Sequence, residues 1–104
     1  MGVKLYKIDP KSGQGDYQFF CPGCRCNHAV WVTANNDNHA VWSFNDNMEK
    51  PTFSPSILVR WTRTIGEVVD FVCHSFVTDG MIKFLGDCTH PLKDQTVELP
   101  DIPD

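Results

Sequence analysis

Cys21-Pro22-Gly23-Cys24 constrains this chain more than any other stretch, because it has the shape of half a metal knuckle. Two cysteines separated by Pro-Gly close a tight turn that aims both sulfurs at one point, where loop N–H groups can stabilise the thiolates. Cys26 and His28 follow at once, and a second soft-ligand pair, Cys73-His74, stands much later in the chain. Two such clusters, distant in sequence, predict a single loop-closing zinc site.

A chain of 104 residues is enough for one domain and too short for two. A domain of this size buries only about 60–65% of the surface its unfolded chain exposes, so its core is modest and a metal staple helps. Structural zinc is worth about 10–16 kcal/mol in peptide systems, against a whole-domain stability of about 5–15 kcal/mol. The five cysteines (Cys21, Cys24, Cys26, Cys73, Cys88) make an odd number, and Met1-Gly2-Val3-Lys4 does not begin a secretory signal. A secreted disulfide framework is therefore not expected, and no apolar run approaches a membrane span. The expectation is a cytoplasmic protein.

Charge narrows the partners. The net charge is −4, and the nine Lys and Arg residues are scattered, with only Arg60 and Arg63 close together. A sequence-independent nucleic-acid binder needs a concentrated basic face, so that class is disfavoured. The acids are equally dispersed.

The pattern along the chain is mostly β. Val3 to Ile8 alternates as a first strand, with residues 1–16 forming an N-terminal strand and loop. Tyr17 to Phe20 leads into the knuckle, Ala29 to Thr33 leaves it, and Asn35-Asn36-Asp37-Asn38 reads as a turn. Val41 to Phe44 and Ser56 to Arg63 are further strands, interrupted by Pro51 and Pro55. Glu67 to Val77 and Met81 to Leu85 flank Thr78-Asp79-Gly80, whose Asp-Gly chemistry predicts a hairpin. Thr89 could cap one turn of helix with Pro91 inside it, and Val97 to Leu99 returns as a short strand. Asp101-Ile102-Pro103-Asp104 reads as a solvated tail. The expected fold is a single, mainly β domain spanning 1–104. It consists of zinc-ribbon-like antiparallel hairpins around one zinc site, with little helix.

Four motifs together carry a resemblance: CPGC with a following His, Trp42 to Val59 around Lys50-Pro51-Thr52-Phe53-Ser54-Pro55-Ser56, Cys73 to Gly80, and Phe84 to Leu92. The chain resembles the DUF6527 family of small phage and prophage proteins over about Phe19 to Pro100. Lys93-Asp94 stands where that family usually has Ala-Gly. Members often carry the label "ammonia monooxygenase", which a chain without a membrane span does not fit. The resemblance implies a phage or prophage origin and a zinc-bearing β fold, with no settled activity.

The expected metal ligands are Cys21, Cys24 and Cys73, with His28 and His74 as candidates for the fourth position. His28 could swing back to the ion from the start of the outgoing strand. His74 adjoins Cys73, and neighbours on a regular strand face opposite ways, so both ligate only if the chain turns sharply there. One of the two histidines is expected to ligate and the other to stand behind it. Arg25 could offset the charge of a three-cysteine, one-histidine site. Cys26 and Cys88 read as packing or turn residues, and Phe19, Trp31, Trp42, Phe44, Phe53, Trp61, Phe71 and Phe84 as core.

Two functions compete. A small acidic zinc-stapled domain suits a protein-interaction module, an accessory protein acting on a host factor, with pairing of two copies through an uncovered strand edge also open to it. The alternative is a zinc-dependent hydrolase or deaminase-like enzyme using an open zinc position with His74, Asp87 and His90. Asp87 stands three residues before His90 and could orient its ring, but the His-x-Glu element of zinc deaminases is missing. A thioredoxin-like role fails because turn and strand, not helix, follow Cys24. The interaction module is the leading expectation and catalysis the lesser one.

Overall fold

The computed structural model describes residues 2–9, 11, 13–33 and 40–102. Its strands are β1 (Tyr6–Lys7), β2 (Tyr17–Cys21), β3 (Cys26–Val30), β4 (Ser43–Phe44), β5 (Phe53–Ile65), β6 (Glu67–Thr78), β7 (Met81–Phe84) and β8 (Thr96–Glu98). They form two antiparallel sheets, one in the order β1-β2-β3 and one in the order β4-β5-β6-β7-β8. No α-helix occurs among the described residues, so the small, mainly β, antiparallel class expected from the sequence is the class observed.

The elements follow from β-branched and aromatic runs punctuated by turn residues. Thr78 pairs with Met81 across Asp79-Gly80, and both turn residues have positive φ (51° and 77°), the backbone of the tight hairpin that Asp-Gly predicts. Period-two alternation is strict in the centre of β6. Cys73, Ser75 and Val77 are buried, whereas His74 is half-buried and Phe76 and Thr78 are exposed. Opposite residues of an antiparallel pair share a face. The register Ile57↔Ser75, Leu58↔His74, Val59↔Cys73 therefore assigns each residue of β5 to the inner or the outer face of the large sheet.

Both sheets contribute to one core. Phe19, Cys21 and Val30 come from the small sheet; Phe53, Ile57, Cys73, Val77, Ile82 and Phe84 come from the large one; Leu5, Cys88 and Leu99 close it from the flanks. Each large apolar side chain so buried contributes about 1.5–3 kcal/mol. Among the aromatics expected inside, Phe19, Phe53 and Phe84 are buried, while Phe44, Trp42 and Trp61 pack against the core part-exposed.

Several boundaries differ from expectation. Only Tyr6–Lys7 of the predicted first strand joins a ladder, because the Lys4 N–H goes to Met48 O instead of to a neighbouring strand. Pro55 does not interrupt its strand. β5 runs through it, and the register steps four residues along β5 (Phe53 to Ile57) against two along β6 (Val77 to Ser75). Thr89 caps no helix: its N–H bonds Val72 O and its hydroxyl accepts the Val72 N–H, so it extends the edge of β6. Lys93 N–H to His90 O and Gln95 N–H to Leu92 O then make turns. Of the predicted tail, Asp101 and Ile102 are docked, by Lys4 Nζ on Asp101 and by the Ile102 N–H on Val3 O. The turn predicted at Asn35–Asn38 lies outside the described residues.

Candidate active site and metal centre

The outer face of the large sheet carries a serine–histidine–aspartate relay. His74 projects outward from the middle of β6, opposite Leu58, and Ser56 lies two residues before Leu58 on the same face. Ser56 Oγ stands 2.9 Å from His74 Nε2, and His74 Nδ1 stands 3.0 Å from Asp87 Oδ2. Ser56 sits where the register of β5 steps, and irregularities of this kind commonly re-aim a side chain beside a reactive site. Its carbonyl accepts the indole N–H of Trp42 at 3.2 Å, which fixes the backbone there.

Asp87 reaches His74 because the chain after β7 docks along the free edge of β6. Leu85 N–H donates to His74 O at 2.9 Å, and the His74 N–H points to Cys88 Sγ at 3.2 Å. The Cys88 thiol returns to His74 O at 3.2 Å, and Thr89 completes the seam on Val72. Both ring nitrogens of His74 are thus engaged and its main chain is held on both sides. Asp87 is about half exposed and His74 about a quarter, so the relay is open to solvent at its carboxylate end. A serine hydroxyl, an imidazole and a carboxylate in this order make up the apparatus of acyl transfer.

On the opposite face, four donors converge. Cys21 at the end of β2, Cys24 in the knuckle, Cys73 on β6 and His90 after the docked loop each offer one atom, all within 4.8 Å of one another. The knuckle is closed by the Arg25 N–H on Cys21 O at 2.8 Å, with Arg25 in the left-handed region (φ 57°). The Cys24 N–H points at Cys21 Sγ, 3.4 Å away, and Cys21 Sγ lies 3.8 Å from Cys73 Sγ. A Cβ on Gly23 would overlap the His90 ring, so this position of the knuckle takes glycine. Phe84 steadies that ring edge-on, with centroids 4.4 Å apart.

The donor chemistry fits a soft divalent cation. His90 Nε2 is buried with no hydrogen-bond partner, a cost that a metal ion would remove. The thiols also compete for charge. Hydrogen bonding from Cys73 holds Cys21 down to about 4 against the opposing effect of burial, with His28 and the Cys24 N–H assisting. Burial and the Cys21 charge push Cys24 up to about 12, and Cys21 and burial push Cys73 higher still. Without a cation one thiolate suppresses its neighbours; a divalent ion would let all three ionise.

The site residues anticipated from sequence are distributed as follows. Cys21, Cys24 and Cys73 come together, and His90, anticipated only for an open catalytic zinc, completes their group. His28 is buried on β3 against Phe19 and lies beside Cys21 without being one of the four. His74 is turned away by the regular alternation of β6, which puts Cys73 and His74 on opposite faces. Asp87 pairs with His74 and not with His90. Ser56 is not among the residues that the sequence singles out, because no local motif surrounds it: His74 lies 18 positions further along the chain and Asp87 a further 13. The one available signal was Gly66. Read as the turn between β5 and β6, it sets the register that brings Ser56 beside His74.

Residues 3–85 match the model of the family described as bacterial ubiquitination-like system serine protease (BubE). The chain belongs to the BubE family. That match replaces the resemblance to the DUF6527 family: the family shown is a different one, and it is named for a ubiquitination-like system. No curated protein and no solved structure matches the chain. The matched segment contains Ser56, His74 and the three converging cysteines, while Asp87 and His90 lie just beyond it. No helix among the described residues is long and apolar enough to cross a membrane.

Proposed function

We propose that this chain is a serine protease in which Ser56 is the nucleophile, His74 the general base and Asp87 the group that orients the imidazole. One observation carries the reading: Ser56 Oγ, His74 and Asp87 form a continuous hydrogen-bonded relay on an open sheet face, at 2.9 and 3.0 Å. The serine-protease description of the BubE family supports it independently.

The chemistry follows from the geometry. Ser56 Oγ attacks the substrate carbonyl carbon as its proton passes to His74 Nε2, giving a tetrahedral oxyanion. Collapse of that species breaks the bond to the leaving amine, which takes the proton back from His74. Water then attacks the acyl-serine, giving its proton to Nε2, and the second collapse returns that proton to Ser56 and releases the acid. Asp87 accepts the Nδ1–H throughout, which keeps Nε2 free to act as base and stabilises the imidazolium.

Cys21, Cys24, Cys73 and His90 would hold one zinc with all four positions taken by protein, a closed and therefore structural arrangement. Its contribution is to tie the knuckle of the small sheet to β6 and to the loop that bears Asp87. The zinc-hydrolase alternative needs His74, Asp87 and His90 in one place, and they serve two separate groups instead. The interaction-module reading draws on small size, acidity and a metal staple, all of which a protease also accommodates; the protein partner it anticipates enters here as substrate.

A fluorophosphonate probe tests the assignment. It should label Ser56 at one equivalent, as located by peptide mass spectrometry. Ser56→Ala should abolish labelling while leaving folded, metal-binding protein. Labelling that persists in that variant, or a folded wild-type chain that never labels, would remove the proposal.

A further inference from the structure

The relay stands at the beginning of an unpaired backbone edge. The His74 N–H and C=O both point away from β5, to Cys88 Sγ and to the Leu85 N–H. The Val72 N–H and C=O do the same, bonding the Thr89 hydroxyl and the Thr89 N–H. In an antiparallel ladder, a residue whose backbone groups turn away from the partner strand sits opposite one that does likewise. Leu58 is opposite His74 and Arg60 opposite Val72, so the N–H and C=O of Leu58 and Arg60 point outward, to the side of β5 away from β6. β4 covers that side only at Phe53 and Ser54. Among the described residues, none bonds to the outward backbone groups of Leu58 or Arg60.

The exposed side chains beside this edge are apolar. Leu58 is 49% exposed and Phe76 42%, and by alternation both lie on the face that carries Ser56 and His74. An open strand edge with alternating donors and acceptors is a template for one more strand, and apolar side chains on the adjoining face select what that strand carries. The open edge begins two residues past Ser56, whose own carbonyl is taken by the Trp42 indole, so a strand laid along Leu58 and Arg60 ends beside the nucleophile.

We infer that this protein takes its substrate as an extended peptide segment that adds to the outer edge of β5, pairing with the backbone of Leu58 and Arg60 and placing an apolar side chain against Leu58 and Phe76. The inference rests on the serine-protease reading above and deepens it by naming the substrate's conformation. A folded loop or a helix would not satisfy the alternating edge. The two backbone pairs serve for affinity and positioning, and the side chains for selection.

The test uses a pooled library of internally quenched decapeptides on wild-type protein, followed by an N-methyl scan of the best-cleaved sequence. Substrate N–H groups that pair with a strand recur at every second residue. N-methylation at two such alternate positions on one side of the cleaved bond should raise KM at least tenfold while kcat changes little. The Leu58 and Arg60 amides, followed by NMR in the Ser56→Ala protein, should exchange more slowly once that peptide is bound. A scan with no alternating pattern, or Leu58 and Arg60 amides unaffected by saturating peptide, overturns the inference while Ser56 labelling leaves the protease reading standing. Failure to cleave any decapeptide despite full Ser56 labelling also overturns it. So do a dimer in solution and Leu58 and Arg60 amides already protected without peptide, because a second copy would then occupy the edge. Absence of Ser56 labelling points instead to failure of the protease reading.

Discussion

His74 is held at four points: Ser56 on Nε2, Asp87 on Nδ1, Cys88 Sγ on its N–H and the Leu85 N–H on its carbonyl. The first two define its chemistry and the last two fix the strand from which it projects. Cys88 reads from sequence as a packing residue, yet its sulfur both accepts from the His74 N–H and donates to the His74 carbonyl. In the proposed mechanism Asp87 accepts the Nδ1–H and so determines which ring nitrogen carries the proton. Replacing it by asparagine preserves size but lets the amide donate to Nδ1, which moves the ring proton to Nε2 and disables the base. Asp87→Asn should therefore lower kcat for peptide hydrolysis by about a thousandfold or more, with KM little changed. A loss below tenfold would mean that the half-exposed carboxylate is a bystander.

At the scale of elements, two short segments each serve both faces of the large sheet. In β6, strict alternation sends Cys73 inward to the sulfur cluster and His74 outward to Ser56. In the loop after β7, Asp87 goes to the relay and His90 to the cluster. A metal ion at the cluster would thus anchor the loop that supplies Asp87 without taking part in the reaction. Stripping the metal with a chelator should release one zinc per chain by elemental analysis. It should also increase hydrogen exchange in residues 21–26 and 85–90 and abolish hydrolysis, and restored zinc should reverse all three effects. Full hydrolysis by fully stripped protein would show that the core alone positions the loop. The magnitude favours dependence, because a structural zinc ion is worth about as much as the whole net stability of a domain this size.

Across the whole molecule, the ends of the chain are drawn together by one cation. Lys4 is buried and its ammonium donates to Glu98 (2.9 Å), Asp101 (2.8 Å) and the Leu99 carbonyl (2.8 Å). Burial alone would lower its pKa, but the hydrogen bonds and charges of Asp101 and Glu98 outweigh it, and the net shift is upward. A group whose folded pKa is raised stabilises fully below its ordinary value, 10.5, and loses that contribution as pH climbs through the folded value. The ammonium is therefore charged at neutral pH, and its contribution is lost in alkali as it gives up its proton. Lys4→Met should cost about 1.5–3 kcal/mol, the worth of a hydrogen bond to a charged group, in chemical unfolding at neutral pH. The gap between variant and wild type should close above pH 10.5, and a gap independent of alkali would assign the loss to packing alone.

The sequence by itself determined the β class, the Asp79-Gly80 hairpin and the knuckle at Cys21 to Cys24, because each is written in neighbouring residues whose backbone preferences are local. It also marked Cys73 as a ligand candidate, since a thiol far along the chain can close one site with a Cys-x-x-Cys knuckle. Only the tertiary structure decided between the histidines. His28, His74 and His90 are chemically equivalent in a list of residues, and strand alternation together with the docking of the 85–89 loop sends each to a different neighbour. Ser56 is the extreme case: a serine in a β run carries no signature until the register of β5 on β6 puts it beside an imidazole. Local chemistry chooses elements, whereas pairing register and sheet face choose which side chains meet, and an active site depends on the second.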